Sequence, residues 1–445
     1  MTELPARPSN ATLAAFTGPC LPFAALGLPL VVHLPAYYAE NVGLPLGVVG
    51  AVFMIVKLID IPLDPLLGGM MDRTRTRFGR FRPWMAAGAP LLMLASFLLF
   101  MPPTGAGAAF LGVWLMAIYV GFSIVVLAQT SWASTLSPDY NQRSRIYAWW
   151  QAGNVVGMLL VLLLPVVITT RGGTQTEAVA AMGWFIVVLL PITVGIAVWK
   201  VPEPTPEGAG HARLVDYLGF FKLSTVRRLM LADLLFGLAP GITGALALFY
   251  FKAAKGMDAG QANILIFLYF FAGLIGAPIW SRLAVAFGKH RALALAGVVY
   301  AVVYAGVFLA PAGNFPLLAL SMLLVGIPFS ASPLLCRAML ADVADELRLA
   351  HGEDRTGMLF ALLTATNKVG YAVALVTYFP LAWAGFDKAA GAVNTPFAIG
   401  VLTALFVAAP MVLLLLGAAS IFRFPLDEAR QREVRAALEA QGLPR

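Results

Sequence analysis

The sequence predicts an all-α membrane protein, with twelve transmembrane helices arranged as two pseudo-symmetric six-helix bundles. Three observations predict it. Apolar residues make up 60% of the 445 and charged residues only 12%, whereas a soluble chain carries about 25% charged residues. Apolar stretches of about 20 residues, long enough to cross a bilayer core, recur along the whole chain. The segment Phe78-Gly-Arg-Phe-Arg82 also returns as Phe287-Gly-Lys-His-Arg291 at the matching place in the second half, as expected of a membrane fold built from paired halves. Mean hydropathy is +0.84.

In chain order, spans are expected at 13–38, 46–71, 83–101, 108–136, 146–169, 178–199, 229–251, 262–286, 292–310, 317–340, 358–384 and 396–422. The segment before the first is polar and contains proline, so no cleavable signal is expected. Alternate loops differ in character. One set carries Arg7, the run Arg73 to Arg82, Arg143 and Arg145, the link 200–228, Arg282 to Arg291, Arg348 and Arg355, and the tail from Arg423. The other set carries only Arg171, Lys252, Lys255 and Lys388. Basic loops stay inside, so a multi-pass protein of the inner (cytoplasmic) membrane is expected, with both termini in the cytoplasm.

The organisation expected is an N-terminal six-helix bundle over 1–200, a linker over 201–225 that opens Pro202-Glu-Pro-Thr-Pro, a C-terminal bundle over 226–422 and a tail over 423–445. The linker reading rests on its proline and polar residues. Charges at helical spacing from Asp427 to Gln441 predict a short helix lying on the bundle. The net charge of +8 reflects loop placement, so no nucleic-acid partner is expected. Cys20 and Cys336 lie far apart in apolar runs and imply neither a disulfide nor a metal site. Nucleotide-binding loops, metal-ligand spacings and nucleophile elbows are absent from the sequence. An enzyme is therefore not expected, nor a cofactor beyond a coupling ion.

The residues that carry chemistry lie in the second span. Asp60 and Asp64 share one helix face, a turn apart. A carboxylate in hydrocarbon costs about 2.5–3.5 kcal/mol even on the gentler scale, so the pair needs a partner, a wet cavity or a cation. Lys57 shares that face, and Lys368 is the other lysine placed well inside a span. These four residues predict a cation-coupling cluster; the bland alternative is a static ion pair between helices. Asp233, near the start of the seventh span, is placed within reach of the headgroups. Applying the repeat offset puts Tyr269 opposite Asp60 and Gly273 opposite Asp64, so the fold itself does not require acids there. Ile61, Pro62 and Leu63 offer no side-chain oxygen, which favours H+ over Na+ on ligand supply; Pro62 frees a backbone carbonyl.

His33, Tyr37, Gln129, Trp132, Gln151 and Asn154 are the candidate substrate contacts, the amides because polar groups in hydrocarbon need partners. Trp149 falls in the same region. Asp72, Arg73 and Arg80 in the basic loop are expected to form breakable pairs at the helix ends. Arg337, near Asp342 and Asp345, reads as a gate or anchor.

The stretch Lys57-Leu-Ile-Asp60-Ile-Pro-Leu-Asp64-Pro65, followed by Arg73-Thr-Arg-Thr-Arg-Phe-Gly-Arg-Phe-Arg-Pro-Trp84, resembles the glycoside–pentoside–hexuronide:cation symporter family, of the melibiose-permease type, within the major facilitator superfamily. Tyr37-Tyr-Ala-Glu-Asn-Val-Gly43, Ala341-Asp-Val-Ala-Asp345 and Asn367-Lys-Val-Gly370 fit the same family. The resemblance implies alternating-access symport of a small solute, with Asp60 and Asp64 at the cation site, Lys57 as a basic neighbour, Lys368 communicating with that site and Trp132 near the sugar. The family's acidic sugar contacts fall on Ala24 and Ala128, an arginine falls on Gln151, and the Asn and Thr used with sodium fall on Leu63 and Val125. The coupling apparatus is kept while the pocket differs. The expected function is cation-coupled symport of a sugar-like or glycoside solute by a monomer in the bilayer. An amphipathic solute such as a lysolipid is the alternative, since the vertebrate lysolipid symporters keep similar aspartates. A non-transporting membrane receptor or scaffold is the alternative of another class.

Overall fold

The computed structural model describes residues 8–136, 140–203, 223–351, 356–389 and 392–440. Eleven helical stretches among them are long and apolar enough to cross a bilayer, making this a multi-pass membrane protein. The expected span 358–384 is occupied by two shorter helices joined by a tight turn at Leu375–Thr377. Large apolar side chains such as Val113, Val302, Leu309 and Trp383 are exposed on the helix surfaces. Such a surface is costly in water and suits lipid.

The chain forms two compact units, Met1–His211 and Ala212–Arg445. In the first, α1 (Asn10–Thr17), α2 (Cys20–Gly27) and α3 (Leu34–Glu40) make one segmented span. It is followed by α4 (Leu46–Arg73), α5 (Arg82–Phe100), α6 (Ala108–Thr135), α7 (Tyr140–Thr170) and α8 (Gln175–Lys200). The segmentation has a covalent cause. Pro19, Pro29 and Pro35 supply no N–H to the helical ladder, and the chain answers with a wide π-type turn at Pro29–His33.

The second unit contains α9 (Ser224–Phe249), α10 (Ala259–Phe287), α11 (Lys289–Leu309), α12 (Phe315–Phe329), α13 (Ala331–His351), α14 (Thr356–Ala374), α15 (Tyr378–Trp383), α16 (Pro396–Thr403), α17 (Ala409–Phe422) and α18 (Glu428–Ala440). Its first span also ends in a wide turn, at Tyr250–Ala254.

Helix pairing repeats between the units. In the first, α4 and α5 pack on α6, α5 on α8, and α2 on α7 and α8. In the second, α10 and α11 pack on α12, α11 on α17, and α9 on α14 and α17. Lipid supplies no hydrophobic drive between helices, so close backbone approach carries the contact. Gly276 faces the Ile327 carbonyl and Gly326 the Tyr269 carbonyl, where any Cβ would collide. The Phe78–Arg82 and Phe287–Arg291 repeat is structural as well: Gly79 and Gly288 both take positive φ, 110° and 85°.

The start of the expected linker is a built part of the first unit. The Glu203 carboxylate accepts from the backbone N–H groups of Arg80, Phe81 and Arg82 at 2.5, 2.6 and 3.1 Å. These are the donors left open at the beginning of α5. Gly79 is required beside it, because a Cβ there would enter the Glu203 carboxylate. Proline and glutamate in a linker-like composition thus conceal a helix cap. At the other end of the chain, α18 packs on α13, with Gln431 donating to Asp345 at 2.9 Å.

Candidate functional site

Asp60 lies halfway along α4 and is 1% exposed, while Asp64, a turn further, is half-buried. The Ser123 hydroxyl of α6 donates to Asp60 Oδ1 at 3.2 Å. Tyr119, one turn earlier on α6, lies within the field of Asp60. The Lys57 ammonium, 8% exposed, stands 5.7 Å from the Tyr119 ring centroid. The α4–α6 contact therefore gathers the Asp60 carboxylate, an ammonium, a serine hydroxyl and a phenol, with Asp64 a turn further along α4. A desolvated ammonium over an aromatic face gains about 2 kcal/mol, which offsets part of its burial. Pro62, within unbroken α4, denies the Leu58 carbonyl its helical donor.

Ser123 is a member that sequence reasoning did not name. Its signal was slight: one hydroxyl in the apolar run Gly121-Phe-Ser-Ile-Val125. Val125 is fully buried. In the second unit, Tyr269 at the place equivalent to Asp60 pairs its hydroxyl with that of Tyr300, and Gly273 meets Phe329.

The candidate substrate contacts do not form one cluster. Gln129 donates to the Phe16 carbonyl at 2.8 Å and accepts from the Trp150 indole at 3.2 Å, beside the Cys20 thiol. Asn154 donates to the Trp150 carbonyl of its own helix at 2.8 Å, and Gln151 is exposed. Trp132 is fully buried: its indole donates to the Pro202 carbonyl at 3.1 Å, Phe16 packs against it edge-on and the Arg82 guanidinium lies 5.7 Å from its ring. In this conformation the chain itself occupies the ring that the resemblance places near the sugar. His33 and Tyr37 are also buried, next to Gln175 and Thr176 at the start of α8. Tyr38 beside them ties to the Leu99 carbonyl at 3.0 Å. They belong to the bundle end away from the basic loop, whereas Gln129 meets the same span near its other end, at Phe16.

The expected loop pairs involving Asp72 and Arg73 lie outside the described side chains. Arg80 donates to the Met71 carbonyl at 3.0 Å, closing the basic loop on α4; burial pulls the Arg80 pKa down and Glu203 opposes that shift. Asp342 is held by Lys289 at 2.5 Å and Asp345 by Gln431, while Arg337 donates to the Pro333 carbonyl at 2.9 Å. Lys368 belongs to the second unit, on α14 with Asn367 and Tyr371.

Two units with the same helix pairing and charged side chains at mid-span define a helical membrane protein built from paired halves. Residues 15–428 match the family described as MFS/sugar transport protein, and the chain belongs to that family; it is not an enzyme. Among curated proteins it is 27% identical over 426 residues to the lactose permease of Lactobacillus delbrueckii subsp. bulgaricus, covering 88% of this chain and 66% of that protein. The chain thus spans just under two thirds of that relative's length. It is 25% identical over 392 residues to the putative glycoside/cation symporter YagG of Escherichia coli, covering 85% and 84%. A solved D-xylose-proton symporter shares the fold, with TM-score 0.69 at 15% identity, covering 93% of this chain and 97% of that one.

Proposed function

We propose that this chain is a symporter that couples uptake of a sugar-like or glycoside solute to a cation, H+ in preference to Na+, bound at Asp60 and Asp64. The observation that carries the reading is the graded burial of the two carboxylates. Asp64 is half-buried and Asp60 is sealed against Ser123, one turn along the same helix. A cation reaching the outer carboxylate finds the inner one within a helical turn.

Proton is favoured because oxygen supply is thin. Leu63 and Val125 stand where the resemblance would place an amide and a hydroxyl for sodium. One hydroxyl, the carboxylates and the carbonyl freed by Pro62 satisfy a proton more readily than a coordination shell of several oxygens. Lys57 and Lys368 act as the counter-charges of the empty pair, and Gln151 and Asn154 offer the solute polar contacts. Asp72, Arg73, Arg80 and Arg337 bias the helix ends as the units rock. The monomer sits in the inner membrane with both termini in the cytoplasm, and coupling follows when the cation changes solute affinity between the two access states.

The test is a thermal-stability screen of the purified protein with glycosides, free sugars and lysolipids at several pH and sodium values. Uptake of the stabilising solute into liposomes with an imposed pH or sodium gradient follows. Accumulation driven by the pH gradient is the expected result. Stabilisation by lysolipid alone would replace the cargo, and a solute that binds without any flux would replace transport by a receptor role.

A further inference from the structure

A second buried carboxylate lies in the other unit. Sequence alone placed Asp233 near the headgroups; the structure buries it inside α9, 3% exposed, with Oδ2 lacking a hydrogen-bond partner. Its neighbours come from two helices. From α13, the Cys336 thiol hydrogen-bonds to it and the Arg337 guanidinium acts on it through its charge. From α14, Tyr371 lies in its field, with Lys368 nearly one turn earlier on that helix. Helix α17, also packed on α9, carries no titratable side chain. On α10 the phenol of Tyr269 is bonded to Tyr300, and both lie near Tyr371.

We propose that Asp233 is a proton-binding site of the second unit, separate from the Asp60 and Asp64 pair and independent of the coupling role given to them. Three features of the geometry carry this. Burial penalises the carboxylate charge, and a proton placed on the unpartnered oxygen removes it. The guanidinium beside it is exposed and held by the Pro333 carbonyl of its own helix at 2.9 Å. Its positive charge acts on the carboxyl and favours the ionised form. Finally, the Cys336 thiol donates to the ionised carboxylate, the form that the Arg337 charge also favours, so loss of the charge on protonation weakens the thiol hydrogen bond and couples the two groups. The proton comes from water, forms one O–H bond on Asp233 and returns to water; no other bond changes.

The experiment is infrared difference spectroscopy of the reconstituted protein over a range from about pH 4 to pH 9. Subtracting Cys336→Ala from the unmodified protein isolates the thiol S–H band, since Cys20 is the only other cysteine. The expected result is a protonated-carboxyl band and a Cys336 thiol band that change together with one midpoint. Asp60→Asn and Asp64→Asn keep both changes, Asp233→Asn loses both, and Arg337→Gln moves the midpoint by about one pH unit or more. If Asp233→Asn does not fold, the Cys336 thiol band of the unmodified protein decides alone. A thiol band that stays fixed across the range, with no carboxyl signal beyond that of Asp60 and Asp64, would make Asp233 and Arg337 a static pair and overturn the proposal.

Discussion

Replacing Glu203 with alanine removes the acceptor of three backbone N–H groups at once. A fully buried charge-assisted hydrogen bond contributes about 1.5 kcal/mol or more. The loop is partly exposed, so roughly half of that sum, about 2–3 kcal/mol, is expected to be lost. For a unit of this size each kcal/mol moves the melting point by about 2–4 °C, so the expected fall is about 5–10 °C. Glu203→Gln keeps an acceptor and loses the charge, and falls about half as far. Gly79→Ala costs about 1–3 kcal/mol, from its positive φ and from its Cβ entering the carboxylate. In the Glu203→Ala background the second part of that cost is gone. The double variant is therefore less destabilised than the sum of the singles by about 1 kcal/mol. Thermal unfolding in detergent measures the four variants against the unmodified protein. A Glu203→Ala melting point within about 1 °C of the unmodified protein, or strict additivity with Gly79→Ala, would refute the cap.

Three further outcomes follow from the same contacts. Ser123→Ala removes a donor to Asp60 and is expected to shift the cation dependence of uptake about tenfold, the equivalent of about 1.4 kcal/mol; uptake titrated against pH or sodium reads it. Gly276→Leu and Gly326→Leu place side chains into facing carbonyls between α10 and α12, and neither protein is expected to fold, as size-exclusion chromatography in detergent will show. Trp132→Phe keeps the ring and loses one hydrogen bond to Pro202, lowering stability by about 1 kcal/mol while the KM for solute stays unchanged; a large KM increase would restore the ring to the binding site.

The fold was legible because hydropathy over about 20 residues records the bilayer directly. The paired halves were legible because Gly79 and Gly288 serve the same turn. The C-terminal helix was legible from its charge spacing and appears as α18. Asp60 and Asp64 stood out because carboxylates are rare in hydrocarbon, which is also why a lone hydroxyl such as Ser123 did not. Glu203 escaped because a cap that acts across 121 to 123 residues leaves no local pattern. Trp132 carries no local signal that separates packing from solute contact, because an aromatic ring serves both equally well; in this conformation Pro202, Phe16 and Arg82 surround it. His33 and Tyr37 were grouped with Gln129 as polar or aromatic residues within spans, yet they lie against the start of α8 while Gln129 lies against Phe16 and Trp150.

The central claim is that the α4 carboxylates tie solute movement to a cation gradient. Uptake of the stabilising solute into liposomes, compared with exchange of the same solute across the membrane at equilibrium, tests it most directly. The unmodified protein should both accumulate and exchange, whereas Asp60→Asn should exchange without accumulating. Accumulation by Asp60→Asn at the level of the unmodified protein would contradict the account.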